Sequence, residues 1–189
     1  DTIERLLAAA MMVVLGVIYV RTQNPEWREL SFFWVKIYGL VFALGIATGV
    51  VQEFEFGMNW ANYSRFVGNV FGSLLAAAGI FAFFLEGGLL GPMLFGGERL
   101  GPRMWLLSIS LVALGAHFSA LWIVMANSWM QTPAGYALQQ GLRGQQVVMT
   151  NFLQVVFTPS FVARLGHILV GAWMVGASIG AVAKRQPSR

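Results

Sequence analysis

The chain has 189 residues, of which 57% are hydrophobic and only 11% charged, against roughly 25% charged in a soluble domain. Its formal charge of +4 comes from cations placed singly at the ends of apolar runs, which excludes a nucleic-acid patch interleaved with aromatics. With no cysteine there is no disulfide, thiolate metal site or redox thiol, so a metal would need His, Met or carboxylate ligands.

The apolar runs are long and unbroken rather than alternating, as expected of spanning helices and not of a barrel. The reading is an all-α integral membrane bundle of about five transmembrane helices, forming a single domain over residues 1–189. No basic n-region or cleavage site marks a signal peptide near Asp1.

The first helix is expected at about 3–20. The 15 residues between Arg5 and Arg21 reach only about 22 Å, short of a hydrocarbon core of about 30 Å. Arg5 can snorkel to the outer face and so extend the span. Asn24-Pro25 breaks the chain before the second helix, at about 29–53, which carries Lys36 some two turns in. Gly45 and Gly49 give it a small-residue face for close helix contact.

The third helix, at about 64–95, is expected to organise the bundle. A polar-aromatic entry from Phe54 to Arg65 leads into an apolar run whose one ionisable residue is Glu86. An acid deep in a span is costly, so it should face protein, water or a partner charge. Lys36 and Glu86 lie about 10 Å and about 15 Å from the same face by helical rise, which predicts that they pair, directly or through water. Gly68/Gly72 and Gly87/Gly91 predict further close packing, and Pro92 a kink. A fourth helix follows at about 103–130. The polar segment 131–159 is expected to be an extramembrane loop containing a short helix, and a fifth helix occupies about 160–184.

Alternating spans put Arg21, Arg28, Arg99, Arg103, Lys184, Arg185 and Arg189 on one side, and Arg5, Arg65, Arg143 and Arg164 on the other. Seven against four makes the first side cytoplasmic and the N-terminus external. Trp27, Trp60, Tyr63, Trp129 and Tyr136 are placed for interfacial aromatic belts. Glu53 and Glu55 resemble a carboxylate pair but equally suit a solvated rim.

The chain has two histidines. His167 lies in ARLGHILVGAWMVGA, beside Gly166 and close to Gly171. Small residues leave room for a flat macrocycle, and a neutral imidazole is a standard axial ligand of haem iron. A hydrogen-bonded interior histidine is the alternative reading. His117, in bulkier surroundings, reads as interior. Counted along their helices, the two lie at different depths and should not share an iron. Met174, on the same helix as His167, cannot reach the opposite side of an iron bound there.

FEFGMNWANYSRFVGNVFG, AFFLE, FWVKIYGLVFALGIATGVVQEFEFG and SALWIVMANSWMQTPAGY together resemble subunit I of the cytochrome bd family of quinol oxidases, including its cyanide-insensitive branch. The resemblance runs from about Val20 to the end of the fifth helix. It implies a helical membrane subunit that oxidises quinol, carries haems b and d and reduces dioxygen. His167 falls on an axial ligand of haem b near the outer face, and Glu86 on the acid linked to the proton path. Lys36 and Glu53 fall on polar residues of the second helix and are further proton-path candidates. Trp129, Met130 and Gln131 match the motif closing the fourth helix, where packing is expected.

Two departures accompany this. The family's second acid, eight residues before Glu86, is Ala78 here, and a haem-ligating histidine of the first helix is missing. The haem d site is therefore not supported, and the chain reads as a truncated, redesigned or diverged subunit I. The implied setting is a bacterial cytoplasmic membrane. Lipid surrounds the chain there, other oxidase subunits are expected as partners, and quinol is reached through them. The alternatives are a non-catalytic accessory subunit and an engineered scaffold.

Overall fold

The computed structural model describes residues 2–77, 79, 84–97, 99–141 and 144–185; the side chains of 2–4 and 179–185 are outside the description. Seven described helices and one hairpin follow in the order α1 (Thr2–Thr22), α2 (Pro25–Gly57), α3 (Ala61–Ala77), α4 (Phe84–Phe95), α5 (Pro102–Gln131), β1 (Tyr136–Gly141), β2 (Gly144–Met149), α6 (Phe152–Val156) and α7 (Phe161–Arg185). Among these, α1, α2, α5 and α7 are long and apolar enough to cross a membrane. The protein is an integral membrane helical bundle.

The α1–α2 corner is written locally. Asn24 caps α2 by accepting the Glu26 amide at 3.0 Å, and Pro25 occupies the first turn, where its missing N–H costs nothing. The 33 residues of α2 run about 50 Å, well beyond the hydrocarbon core, so its last turns project past it. Its buried positions Ser31, Trp34, Val35, Tyr38 and Phe42 recur at helical spacing and form one stripe. Ser31 donates from that stripe to the Met12 carbonyl of α1 at 2.8 Å.

The centre of the bundle is α5, not the third predicted helix. Trp105, Ile109, Val112, Ala116, Ala120 and Val124 are all buried along its length, and it packs against α1, α3, α4, α6 and α7. One core, holding Met12, Trp34, Tyr38, Met93, Trp105 and Ile109, fills the space between α1, α2, α4 and α5. A second, around Val70, Leu74, Trp129, Val147 and Val155, joins α3, the far half of α5, the hairpin and α6. Leu6, Ala120 and Ala172 connect α1, α5 and α7.

Trp105 is 1% exposed and donates its indole N–H to the Met93 carbonyl at 3.1 Å, tying α5 to α4. Trp105→Ala is expected to destabilise the protein by about 3–5 kcal/mol, read as a lower unfolding midpoint in detergent.

Within the stretch expected as one helix over 64–95, the described residues form α3, starting at Ala61, and α4; residues 78 and 80–83, Ala78 among them, lie outside the described residues. Pro92 lies inside α4.

Among the paired glycines, Gly87 lies against Phe42 while four others are open. A Cβ at Gly49, Gly68, Gly72 or Gly91 would meet nothing within 4 Å. Helices approach closely instead at Gly16, against Ile109, at Gly39, against Leu94, and at Gly176, where a methyl would collide with Leu7.

The loop over 131–159 contains the expected short helix, α6, but also an antiparallel hairpin with Tyr136 opposite Met149 and Gly141 opposite Gly144. Gly135 enters the hairpin at φ +67°, a left-handed conformation, with the Asn151 carbonyl against its Cα.

Candidate functional site

Two groups carry chemistry: a buried charged cluster between α1, α2 and α4, and an open imidazole on α7.

Glu86 stands in the first turn of α4 and is 0% exposed. The Tyr38 hydroxyl, from the buried stripe of α2, donates a short hydrogen bond to its Oε1. Nη1 of Arg5, from α1, lies 3.5 Å from the same oxygen, and Arg5 is itself only 18% exposed. Phe42 stacks on Tyr38 at 6.4 Å and closes the cluster from the side. A lone carboxylate here would cost several kcal/mol. The guanidinium supplies the opposite charge and the phenol a hydrogen bond. Glu86 Oε2 and Arg5 Nε have no hydrogen-bond partner among the described residues, so the cluster keeps one acceptor and one donor in reserve for a water or a proton.

Lys36 and Glu86 form no direct ion pair among the described residues. Lys36 is exposed, and its ammonium lies 5.1 Å from the centre of the Phe32 ring. The reason is the direction in which each side chain leaves α2. Lys36 and Tyr38 are two residues apart on a helix and therefore project from opposite faces; Tyr38 faces Glu86 and Lys36 does not. Arg5 and Tyr38 are the residues that sequence reasoning missed. The signal for Tyr38 was its place on the 31/34/35/38/42 stripe. Arg5 gave only a cation at the head of an apolar run.

Glu53 is exposed near the end of α2 and is not brought to Glu86. Glu55 accepts a hydrogen bond from Asn59, while Arg65 bonds Asn62 and the Ala61 carbonyl, as a solvated rim would. Trp129 is buried, donates to the Ala134 carbonyl at 3.0 Å and packs edge-on against Tyr136. It is a packing residue, not part of an aromatic belt. Trp60, 51% exposed, remains suited to the interface.

The two histidines occupy different environments. His117 on α5 is partly buried, its Nδ1 lies 2.7 Å from the Ala113 carbonyl one turn back, and its ring is 6.4 Å from that of Trp173. His167 on α7 is exposed. A Cβ at Gly166 or at Gly171 would meet nothing within 4 Å, and Val170 and Met174 are exposed on the following turn. The ring thus stands over an open, low-relief apolar surface. His117 lies level with Trp173, six residues beyond His167 along α7, about 9 Å further by helical rise. The two rings therefore cannot be axial ligands of one iron.

A haem fits the donor chemistry and open surface at His167. One imidazole is available without displacing a packed neighbour, and glycine flanks it where a plate would lie.

The chain matches the family described as cytochrome bd terminal oxidase subunit I over residues 6–184. It belongs to that family. It is 40% identical over 167 residues to the cytochrome bd-II ubiquinol oxidase subunit 1 of Escherichia coli (strain K12), covering 88% of this chain and 32% of that protein. It is 36% identical over 167 residues to the cytochrome bd ubiquinol oxidase subunit 1 of Bacillus subtilis (strain 168), covering 88% and 35%. The chain thus spans about a third of the length of these curated relatives. A chain of the bd oxidase from Geobacillus thermodenitrificans superposes with a TM-score of 0.82 at 26% identity, covering 94% of this chain and 42% of that one. The helical core and the loop between α5 and α7 are therefore those of a bd-type subunit I, and both His167 and Glu86 lie within the matched region.

Proposed function

We propose that the chain serves in a cytochrome bd-type quinol oxidase as part of subunit I, holding haem b through His167 and contributing to electron and proton transfer. The observation that carries this reading is the exposed imidazole of His167, flanked by glycine, inside a segment that matches the family. A b-type haem bound there would supply a one-electron carrier between quinol and the oxygen-reducing centre.

The chain's own residues do the rest. His167 would hold the haem iron from α7, with open space beside it at Gly166 and Gly171 and with Val170 and Met174 exposed on the same helix. Glu86 is the proton-path residue the interior supports, with Tyr38 as its hydrogen-bonded partner and Arg5 as its counter-charge. Lys36 and Glu53 make no direct contact with Glu86 among the described residues.

In this reading the membrane is the bacterial cytoplasmic membrane, with the N-terminus external and the C-terminus cytoplasmic. Arg21, Arg28, Arg99 and Arg103 gather at the end where α1 leaves and α2 enters, as the positive-inside rule requires of the cytoplasmic face. Further oxidase subunits cover the exposed side of α7, and quinol is reached through them.

A visible absorption spectrum of the purified chain tests the proposal. A Soret band with b-type peaks on reduction is the expected result; a colourless protein after expression with ample haem would overturn it.

A further inference from the structure

The basic end of the bundle holds a groove that neither the haem face nor the buried cluster uses. It measures about 530 Å³ and is lined by Arg28, Glu29, Phe32, Leu94, Phe95, Gly97 and Arg99. A second cavity of about 430 Å³ adjoins it, sharing Arg28 and Gly97 and continuing to Tyr19 and Trp105.

Arg28 is oriented here rather than loose. Its Nη2 donates to the Gly97 carbonyl at 2.6 Å, which fixes the guanidinium against the α4–α5 turn and leaves its remaining N–H groups for another acceptor. Arg99 is exposed on the opposite wall. Among the described lining residues, one carboxylate, Glu29, stands beside the two guanidinium groups of Arg28 and Arg99. Lys36 stands two turns along the same side of α2 as Arg28 and Phe32, its ammonium over the Phe32 ring. The floor is apolar, with Phe95 74% exposed, and α2 and α4 carry it on toward the hydrocarbon.

We propose that this groove seats the phosphate of an anionic membrane lipid, held between Arg28 and Arg99, with its acyl chains lying over Phe32, Leu94 and Phe95. Guanidinium groups match phosphate oxygens in pairs, and the apolar floor selects a lipid over a free anion. The proposal is independent of haem binding.

Native mass spectrometry of the detergent-purified chain with phosphatidylglycerol, phosphatidylcholine and inorganic phosphate provides the test. Phosphatidylglycerol should be retained in preference to phosphatidylcholine, and Arg99→Gln should weaken that retention about fivefold. Arg99 is exposed and its side chain has no partner among the described residues, so helical content read alongside should be unchanged in this variant. Arg28→Gln combined with Arg99→Gln should remove the preference. Equal retention of the two lipids would overturn the proposal, as would an unchanged preference in Arg99→Gln. Displacement of the lipid by excess inorganic phosphate would mark a free-anion site and overturn it as well.

Discussion

Arg5→Leu is expected to destabilise the bundle by about 3–5 kcal/mol, the cost of leaving a buried carboxylate without its counter-charge. Glu86 is wholly buried, and Arg5 is the cation within ion-pair distance of it among the described residues. Glu86→Gln should cost less, because an amide oxygen still accepts the Tyr38 hydroxyl and no uncompensated anion remains. The double variant, Arg5→Leu with Glu86→Gln, should then recover most of the loss. Thermal unfolding in detergent measures all three. Additive single effects would show that the two charges are independent, and the cluster would lose its status as a pair. Lys36→Leu serves as the contrast: an exposed cation resting on Phe32 should change the midpoint little.

This contrast shows what the sequence could convey. Membrane character and the Asn24-Pro25 corner follow from composition and local chemistry, whereas α2 runs from Pro25 to Gly57, about a turn beyond the expected 29–53 at each end. Depth along a helix can be counted from its ends, which placed Lys36 and Glu86 at similar levels. Direction around the helix needs the partner faces, and those are fixed by packing. The stripe from Ser31 to Phe42 showed which side of α2 is buried, and it excludes Lys36. Arg5 was read as snorkelling because its run looked short; α1 instead packs lengthwise against α2, α5 and α7, bringing Arg5 beside α4.

The hairpin was hidden for another reason. YALQQG and GQQVVM are rich in glutamine, a residue without strong strand preference, and Val147 is the position they bury. Its stability comes from the ladder itself and from the α3 surface beneath β2, neither of which leaves a periodic trace. GxxxG spacing misled in the opposite direction. It marks a face able to pack closely, and within this chain those faces are open, at Gly49, Gly68, Gly72 and Gly91 alike.

The candidate ligand was legible because histidine is scarce and its neighbours are small, and the expected effect of its removal is all-or-none. His167→Ala should abolish haem retention, whereas His117→Ala should leave it nearly intact. The imidazole of His167 is exposed on α7, with open space at Gly166 and Gly171. His117 is half-sunk between α5 and α7, one ring nitrogen engaged by the Ala113 carbonyl, and sits level with Trp173 rather than with His167. Met174 cannot complete the coordination, since it projects from the same helix as the histidine it would have to oppose. Haem content, read from the Soret absorbance per protein and from the reduced b-type peaks, separates the cases. A fall in Soret absorbance only in the His167 variant, with both variants keeping the same helical content, identifies the ligand. Loss in the His117 variant alone would move the haem to the interior face between α5 and α7, and retention in both would remove histidine ligation from this chain altogether.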